Sequence, residues 1–387
     1  MSRAPRSTRR IILNAGLPKT ATTTIQNTLF RHRDTLFAET GIYYPGDTPN
    51  HTNALCTAFL TDPRNHISNR MAGHTDLEVL RDIAAEIRAG FADEIAEMQP
   101  ETVLFSAEGM SNLNATELAA FRDWALDIAD ELSVLYVVRE PLRYATSVMQ
   151  QHLKGGEVLE TMYENPPLPN FRGRLGGAIS SFGRARIEVR TFEDMIAHPD
   201  GVTGFLLDCI GVTGGAARDA ITADNLRENE SLSHEAALIL SSLNRQRPAF
   251  VDGQRGPRRM LNELPQIEQI RGVKFRLPAA VRRDIRQRTT EDVAWLRDTF
   301  GITAYDNPAE PETINDAPTL PPETIDSMAI LLSNLLNDRQ INALIQRGQA
   351  IHRKPGSGEE LRRLASEIER IAPGRALPAF FSEALNA

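Results

Sequence analysis

Residues 11–24 read IILNAGLPKTATTT. Ile11 to Ala15 form a short apolar run that stops at Gly16, and beyond the threonines Ile25, Leu29, His32 and Leu36 recur at helical spacing until Gly41. The reading is strand, loop, then one helix running to Gly41. The same alternation continues downstream. Leu77, Leu80, Ala84, Ile87, Phe91 and Ile95 share one face of a long amphipathic helix, which Pro100 closes ahead of a second apolar run, Thr102 to Phe105. Asn114 and Glu117 have capping-box spacing before a stripe made by Leu118, Phe121, Ala125, Ile128 and Leu132. Val134 to Val138 reads as a buried strand, Pro141 suits a first helical turn, and Ile187 to Arg190 continues the sheet. Strands alternating with helices predict an α/β fold of three layers, a central parallel sheet flanked by helices on both faces.

The 387 residues exceed one such domain, so an accessory piece is expected. The stretch NPAEPETINDAPTLPP, residues 307–322, is rich in proline and acid and reads as a linker. It divides a main domain, 1–306, from a C-terminal helical appendage, 323–387, with two helical patterns. Hydrophobic residues at 41% and charged residues at 24% are those of an ordinary globular protein. A net charge of −8 argues against nucleic acid as a partner, because polyanion binding rests on clustered Lys and Arg. Cys56 and Cys209 are the only cysteines and form no CxxC pair, which fits a reducing cytoplasm and excludes a disulfide framework or structural zinc. The basic start MSRAPRSTRR leads only into IIL, and no run of about 18 apolar residues follows, so neither secretion nor a membrane span is expected.

Open parallel sheets bind ligands at the carboxyl ends of their strands, where helix N-termini converge. Gly16 to Thr24 lies at such a point. Unpaired N–H groups and partial positive charge suit an anion there, with Lys19 adding a full charge and the threonines hydroxyls. A plain strand-to-helix turn capped by threonine is the competing reading. The loop is not a Walker A sequence, since Pro18 stands where glycine precedes the lysine, and no other strand ends in a magnesium-binding aspartate. Only four of the 43 basic residues are lysine, namely Lys19, Lys154, Lys274 and Lys354.

The segment PKTATTT resembles the 5′-phosphosulfate-binding loop of sulfotransferases that use PAPS (3′-phosphoadenosine 5′-phosphosulfate), commonly P-K-[TS]-G-T-[TS]; it departs at Ala21, where glycine is usual. A second segment, LYVVREPLRYATS (residues 135–147), is similar to the family's strand followed by R-[DE]-P and a serine on the next helix. Ser147 follows Arg139 by eight residues, about two helical turns. A third, Arg190-Thr-Phe-Glu-Asp194, is similar to the family's strand-[YF]-E-D. Together they cover roughly residues 10 to 305. The resemblance implies a P-loop-type fold, PAPS as co-substrate without a metal, a 5′-phosphosulfate site at Lys19, Thr20, Ala21, Thr22 and Thr23, a 3′-phosphate site at Arg139 and Ser147, and an adenine face at Phe192.

Sulfuryl transfer needs charge stabilisation on the leaving oxygen, for which Lys19 is the natural group, and a base for the acceptor. Glu108, two residues past the strand Thr102 to Ser106, is the candidate base and His51 the alternative; a helix cap or salt bridge for Glu108 and a surface loop for His51 are the competing roles. Gly155 to Gly177, with Pro166, Pro167 and Pro169, reads as a long acceptor-choosing loop. The acceptor class is a small molecule or a glycan. A P-loop small-molecule kinase and a non-catalytic nucleotide-binding scaffold are the other functions these residues allow.

Overall fold

The computed structural model describes residues 8–224, 231–251, 254–255, 263–306, 320–354 and 356–386. The chain is α/β, with one five-stranded, wholly parallel sheet flanked by helices. The strands are β1 (Arg10–Asn14), β2 (Ile42–Tyr43), β3 (Thr102–Ser106), β4 (Glu131–Val138) and β5 (Ile187–Thr191), in the order β2-β3-β1-β4-β5. β1 is central, paired in register with Thr102 to Ser106 on one side and Glu131 to Leu135 on the other. Its side chains alternate between two cores, as a pleated strand requires. Ile11 and Leu13 join Val103, Phe105, Val134, Tyr136 and Val138 on one face, while Ile12 joins Leu104, Leu135, Val137 and the helix residues Ile25 and Leu29 on the other.

Contacts group the chain into two units. The first holds Met1–Tyr144, Leu168–Asn229 and Ile285–Glu310, and so the whole parallel sheet; the second holds Ala145–Pro167, Glu230–Asp284 and Pro311–Ala387. In the second unit, Pro322–Ile351, Gly358–Ile371 and Ala379–Asn386 are helices that share a core of Ile341, Leu361, Leu364, Ile368 and Phe381. Of the expected linker, 307–319 lie outside the described residues.

Four expectations about elements are corrected, the first being Leu132, which lies in β4 and not on the helical stripe from Leu118, since that helix ends at Ile128. The segment to Gly41 is two helices, α1 (Thr22–Arg31) and Arg33–Thr40, broken at His32, whose φ of −102° and ψ of 13° leave the helical range. The break is anchored from outside, since both Arg31 and His32 pair with Asp224. Residues 155–177 are not one long loop: they contain the helices Leu159–Glu164 and the start of Phe171–Phe182. In the latter, Phe171, Leu175, Ala178 and Phe182 form a buried stripe, which Gly173, Gly176 and Gly177 disguise in the sequence. Among the described residues the C-terminal part has three helices, where the sequence shows two helical patterns. Two-residue β2 escaped notice because so short an edge strand has no periodicity to read.

Among the described residues no helix is long and apolar enough to cross a membrane. No cluster of three His, Cys, Asp or Glu side chains there is arranged to hold a metal ion.

Candidate functional site at the carboxyl edge of the sheet

After β1 the chain keeps pairing with β4: the N–H of Ala15 donates to the Leu135 carbonyl (2.9 Å) and that of Leu17 to Val137 (3.1 Å). Pro18 then turns it away. Lys19 and Ala21 both adopt positive φ, +72° and +58°, a region that disfavours side chains bearing a Cβ by about 1–2 kcal/mol. Thr20 is buried, and its hydroxyl donates to the Leu17 carbonyl at 2.7 Å, closing the turn on itself. Ala21, at the N-cap of α1, makes no side-chain cap bond, and no acidic residue lies in the first turn. The helix end keeps its positive pole toward the loop. Thr22 is buried and Thr23 exposed, while Lys19 is half-buried.

Arg139 follows the last residue of β4. Its Nη1 donates to the Lys19 carbonyl at 2.8 Å, which ties the end of β4 to the turn after β1. Its guanidinium lies 4.7 Å over the ring of Phe192, the first residue of the helix Phe192–Ala197, so one face of that ring supports a cation. The Arg139 Nε is buried without a partner. Burial lowers its pKa, with the carboxylate of Glu193 acting the other way. The single proton of the Tyr305 hydroxyl is shared between the Glu193 carboxylate at 2.7 Å and the Val138 carbonyl at 3.1 Å. Glu140 caps the helix Pro141–Lys154, accepting from the N–H groups of Leu142 (3.1 Å) and Arg143 (2.7 Å). Ser147 is half-buried on that helix, in the portion belonging to the second unit.

Glu108 opens the 3-10 turn Glu108–Asn112 just past β3 and is half-buried. Gly109 lets the helix Thr52–Phe59 approach it: a Cβ there would lie 2.3 Å from Thr52 Cγ2 and 2.9 Å from Cys56 Sγ. The Gly109 N–H donates to Thr52 Oγ1 at 3.2 Å. Gln26, buried on α1, donates through Nε2 to the Ser106 carbonyl (3.3 Å) and reaches Glu108 Oε2 at 3.5 Å. Glu108 is thereby held one helical turn along from Thr22. His51 is fully buried rather than exposed in a loop. Its Nδ1 accepts the Ser106 N–H at 2.9 Å, which fixes Nε2 as the protonated nitrogen donating to the Pro45 carbonyl at 2.8 Å. Burial pulls its pKa down to about 4, against the opposing effect of that carbonyl. Neither ring nitrogen is open to an acceptor in this arrangement.

The fold thus gathers Lys19, Thr20, Ala21, Arg139 and Phe192 at one end of the sheet and attaches Glu108 to α1 through Gln26. Gln26 was missed from sequence, although a glutamine beside Ile25 on the apolar stripe of α1 signals a buried polar role. Tyr305, more than a hundred residues from its partners, leaves no sequence signal at all.

No family model matches the chain, and no curated protein sequence matches it. Among solved structures, similarity is found to a sulfotransferase from Alicyclobacillus acidocaldarius, at 15% identity and a TM-score of 0.31, covering 64% of this chain and 95% of that one. The sulfotransferase domain from the curacin biosynthetic pathway is matched at 13% identity and a TM-score of 0.28, over 56% of this chain and 77% of that one.

Proposed function

We propose that the protein is a PAPS-dependent sulfotransferase acting on a hydroxyl or amine acceptor. The observation that carries the reading is the 2.8 Å bond from Arg139 to the Lys19 carbonyl, which joins two cationic, strand-end residues at a helix N-terminus with no acid in its first turn. A nucleotide phosphorylated at both its 5′ and 3′ positions presents two anions to such a pair. The buried, partnerless Nε of Arg139 and the absence of acid from the first turn of α1 fit that ligand. In this reading Lys19, Thr20, Ala21, Thr22 and Thr23 hold the 5′-phosphosulfate, Arg139 the 3′-phosphate, and Phe192 flanks the adenine while bracing Arg139.

Chemistry then follows from the residues present. The acceptor oxygen or nitrogen attacks sulfur as the bond from sulfur to the bridging phosphate oxygen breaks. Negative charge grows on that oxygen, where the Lys19 ammonium stabilises it. The acceptor proton passes to the Glu108 carboxylate, which Gln26 orients. His51, engaged at both nitrogens, supports the end of β3 instead of taking the proton.

Calorimetry tests the donor assignment. Without metal, 3′-phosphoadenosine 5′-phosphate should bind far more tightly than ATP, and Arg139→Ala should weaken it by about one to two decades, the worth of a charge-assisted contact of ~1.5–3 kcal/mol. Equal affinity for ATP, a strict magnesium requirement, or an unaffected Arg139→Ala variant would overturn it. Tight donor binding with no transfer to any acceptor would return the non-catalytic scaffold.

A further inference from the structure

Arg174 lies outside the donor residues, on the helix Phe171–Phe182, and is half-buried. Its Nη1 donates to Ser111 Oγ and its Nη2 to Tyr144 Oη, both at 3.5 Å, the far limit of a hydrogen bond. Among the described residues no carboxylate pairs with it. A guanidinium carries five N–H donors, so two long contacts leave most of its capacity unmatched. Near it stands Tyr136, fully buried on β4, whose hydroxyl has no partner. Burial raises the Tyr136 pKa and the charge of Arg174 lowers it, so the two groups sense each other.

The arginine is held in place with some care. The N–H groups of Phe171 and Arg172 donate to the carboxylate of Asp292 at 2.6 and 2.7 Å. Asn170 caps Gly173 at 3.2 Å, and a Cβ on Gly173 would lie only 2.4 Å from Asn170 Nδ2. On the far side, Ser111 belongs to the same 3-10 turn as Glu108, its hydroxyl donating to the Glu108 carbonyl at 2.7 Å. One full positive charge and two phenolic hydroxyls thus gather with no carboxylate bonded to them among the described residues, one short turn from the candidate base.

We propose that Arg174, aided by the hydroxyls of Tyr144 and Tyr136, binds a carboxylate on the acceptor, so that the substrate class is a hydroxy acid or a uronic-acid glycan and not a neutral alcohol. The proposal rests on the sulfotransferase reading for the word acceptor, but the anion site stands on its own geometry. A carboxylate accepts from the guanidinium in two parallel bonds, which fixes orientation as well as affinity. With its acid group anchored beside Ser111, an acceptor presents its hydroxyl to the turn that carries Glu108.

The test uses the full chain saturated with 3′-phosphoadenosine 5′-phosphate and ligand-observed NMR. Probes are 4-hydroxyphenylacetate against 4-hydroxyphenylacetamide, and methyl glucuronide against methyl glucoside, which also separates the two acid classes. At least one carboxylate should bind tenfold or more tightly than its neutral partner. Arg174→Gln should reduce that preference below twofold, Arg174→Lys should keep part of it, and Arg81→Gln, an exposed arginine on another helix, should leave it unchanged. No preference in the wild type, or a preference that survives Arg174→Gln, overturns the proposal. So does loss of nucleotide affinity in Arg174→Gln with the carboxylate preference intact, which would give the arginine to the donor. Repeating the titrations without nucleotide keeps the two readings apart: a carboxylate preference in a chain that binds no 3′-phosphoadenosine 5′-phosphate discards sulfuryl transfer and retains the anion site.

Discussion

Ala21→Gly restores the residue that similar loops usually carry, and its effect can be worked from backbone geometry. Ala21 sits at φ +58° and ψ 26°, where a Cβ disfavours the conformation by about 1–2 kcal/mol and glycine is indifferent. Against that relief stands the greater freedom of glycine in the unfolded chain, ~0.4–1 kcal/mol. The net expectation is stabilisation by about 0.5–1 kcal/mol. It should appear as a higher urea midpoint with an unchanged slope. Donor affinity should hold or improve, since the methyl group leaves the phosphate-facing turn. Lys19→Gly is the matched comparison: φ there is +72°, so stability should rise by a similar amount while turnover collapses with the ammonium gone. If Ala21→Gly is neutral or destabilising, the left-handed turn is not the resting conformation of the loop, and the strain argument fails.

Two further expectations concern the acid side of the site. Glu108→Gln keeps shape and removes the base, so turnover should fall by about two to four decades with donor affinity nearly unchanged; a variant as active as wild type would move the proton to another group. For His51, the folded ring protonates only near pH 4, whereas the unfolded chain does so near ~6.5. Its contribution is therefore complete above about pH 6.5 and is lost as pH falls toward 4, amounting to roughly 3 kcal/mol over that interval. Urea midpoints against pH should show this limb in wild type and lose it in His51→Gln, and an imidazole that titrates near 6.5 in the folded protein would disprove it.

The fold was legible because its signals are local. Apolar runs at Ile11, Thr102 and Val134 each stop where a helix pattern starts, and Asn114 with Glu117 forms the capping box its spacing announces. Helix Leu77–Met98 likewise follows its stripe to within a residue or two. What failed depends on distant partners. His32 breaks its helix toward Asp224, which nothing near His32 encodes. The glycines of Phe171–Phe182 look like loop residues until the helix they belong to is packed. At the site, Lys19 and Arg139 were visible as charges at strand ends, but their direct coupling was not. His51 reads as a surface histidine because its neighbours in sequence are polar. Its burial comes from Tyr44, Phe91 and Phe105, two of them from other elements.

Asp292 and Tyr305 set an order on the making of the protein. A growing chain holds Lys19, Glu108 and Arg139 early, yet the helix bearing Arg174, capped at Gly173 by its neighbour Asn170, has the N–H groups of Phe171 and Arg172 paired only once Asp292 is made. The end of β4, already paired with β5 through Val138 and Thr191, gains a further link to Glu193 when Tyr305 arrives. Until those late residues leave the ribosome, the parts already made lack these contacts. These contacts of the first unit are therefore completed only near the end of its synthesis, and a nascent chain that stalls earlier displays the motifs without them.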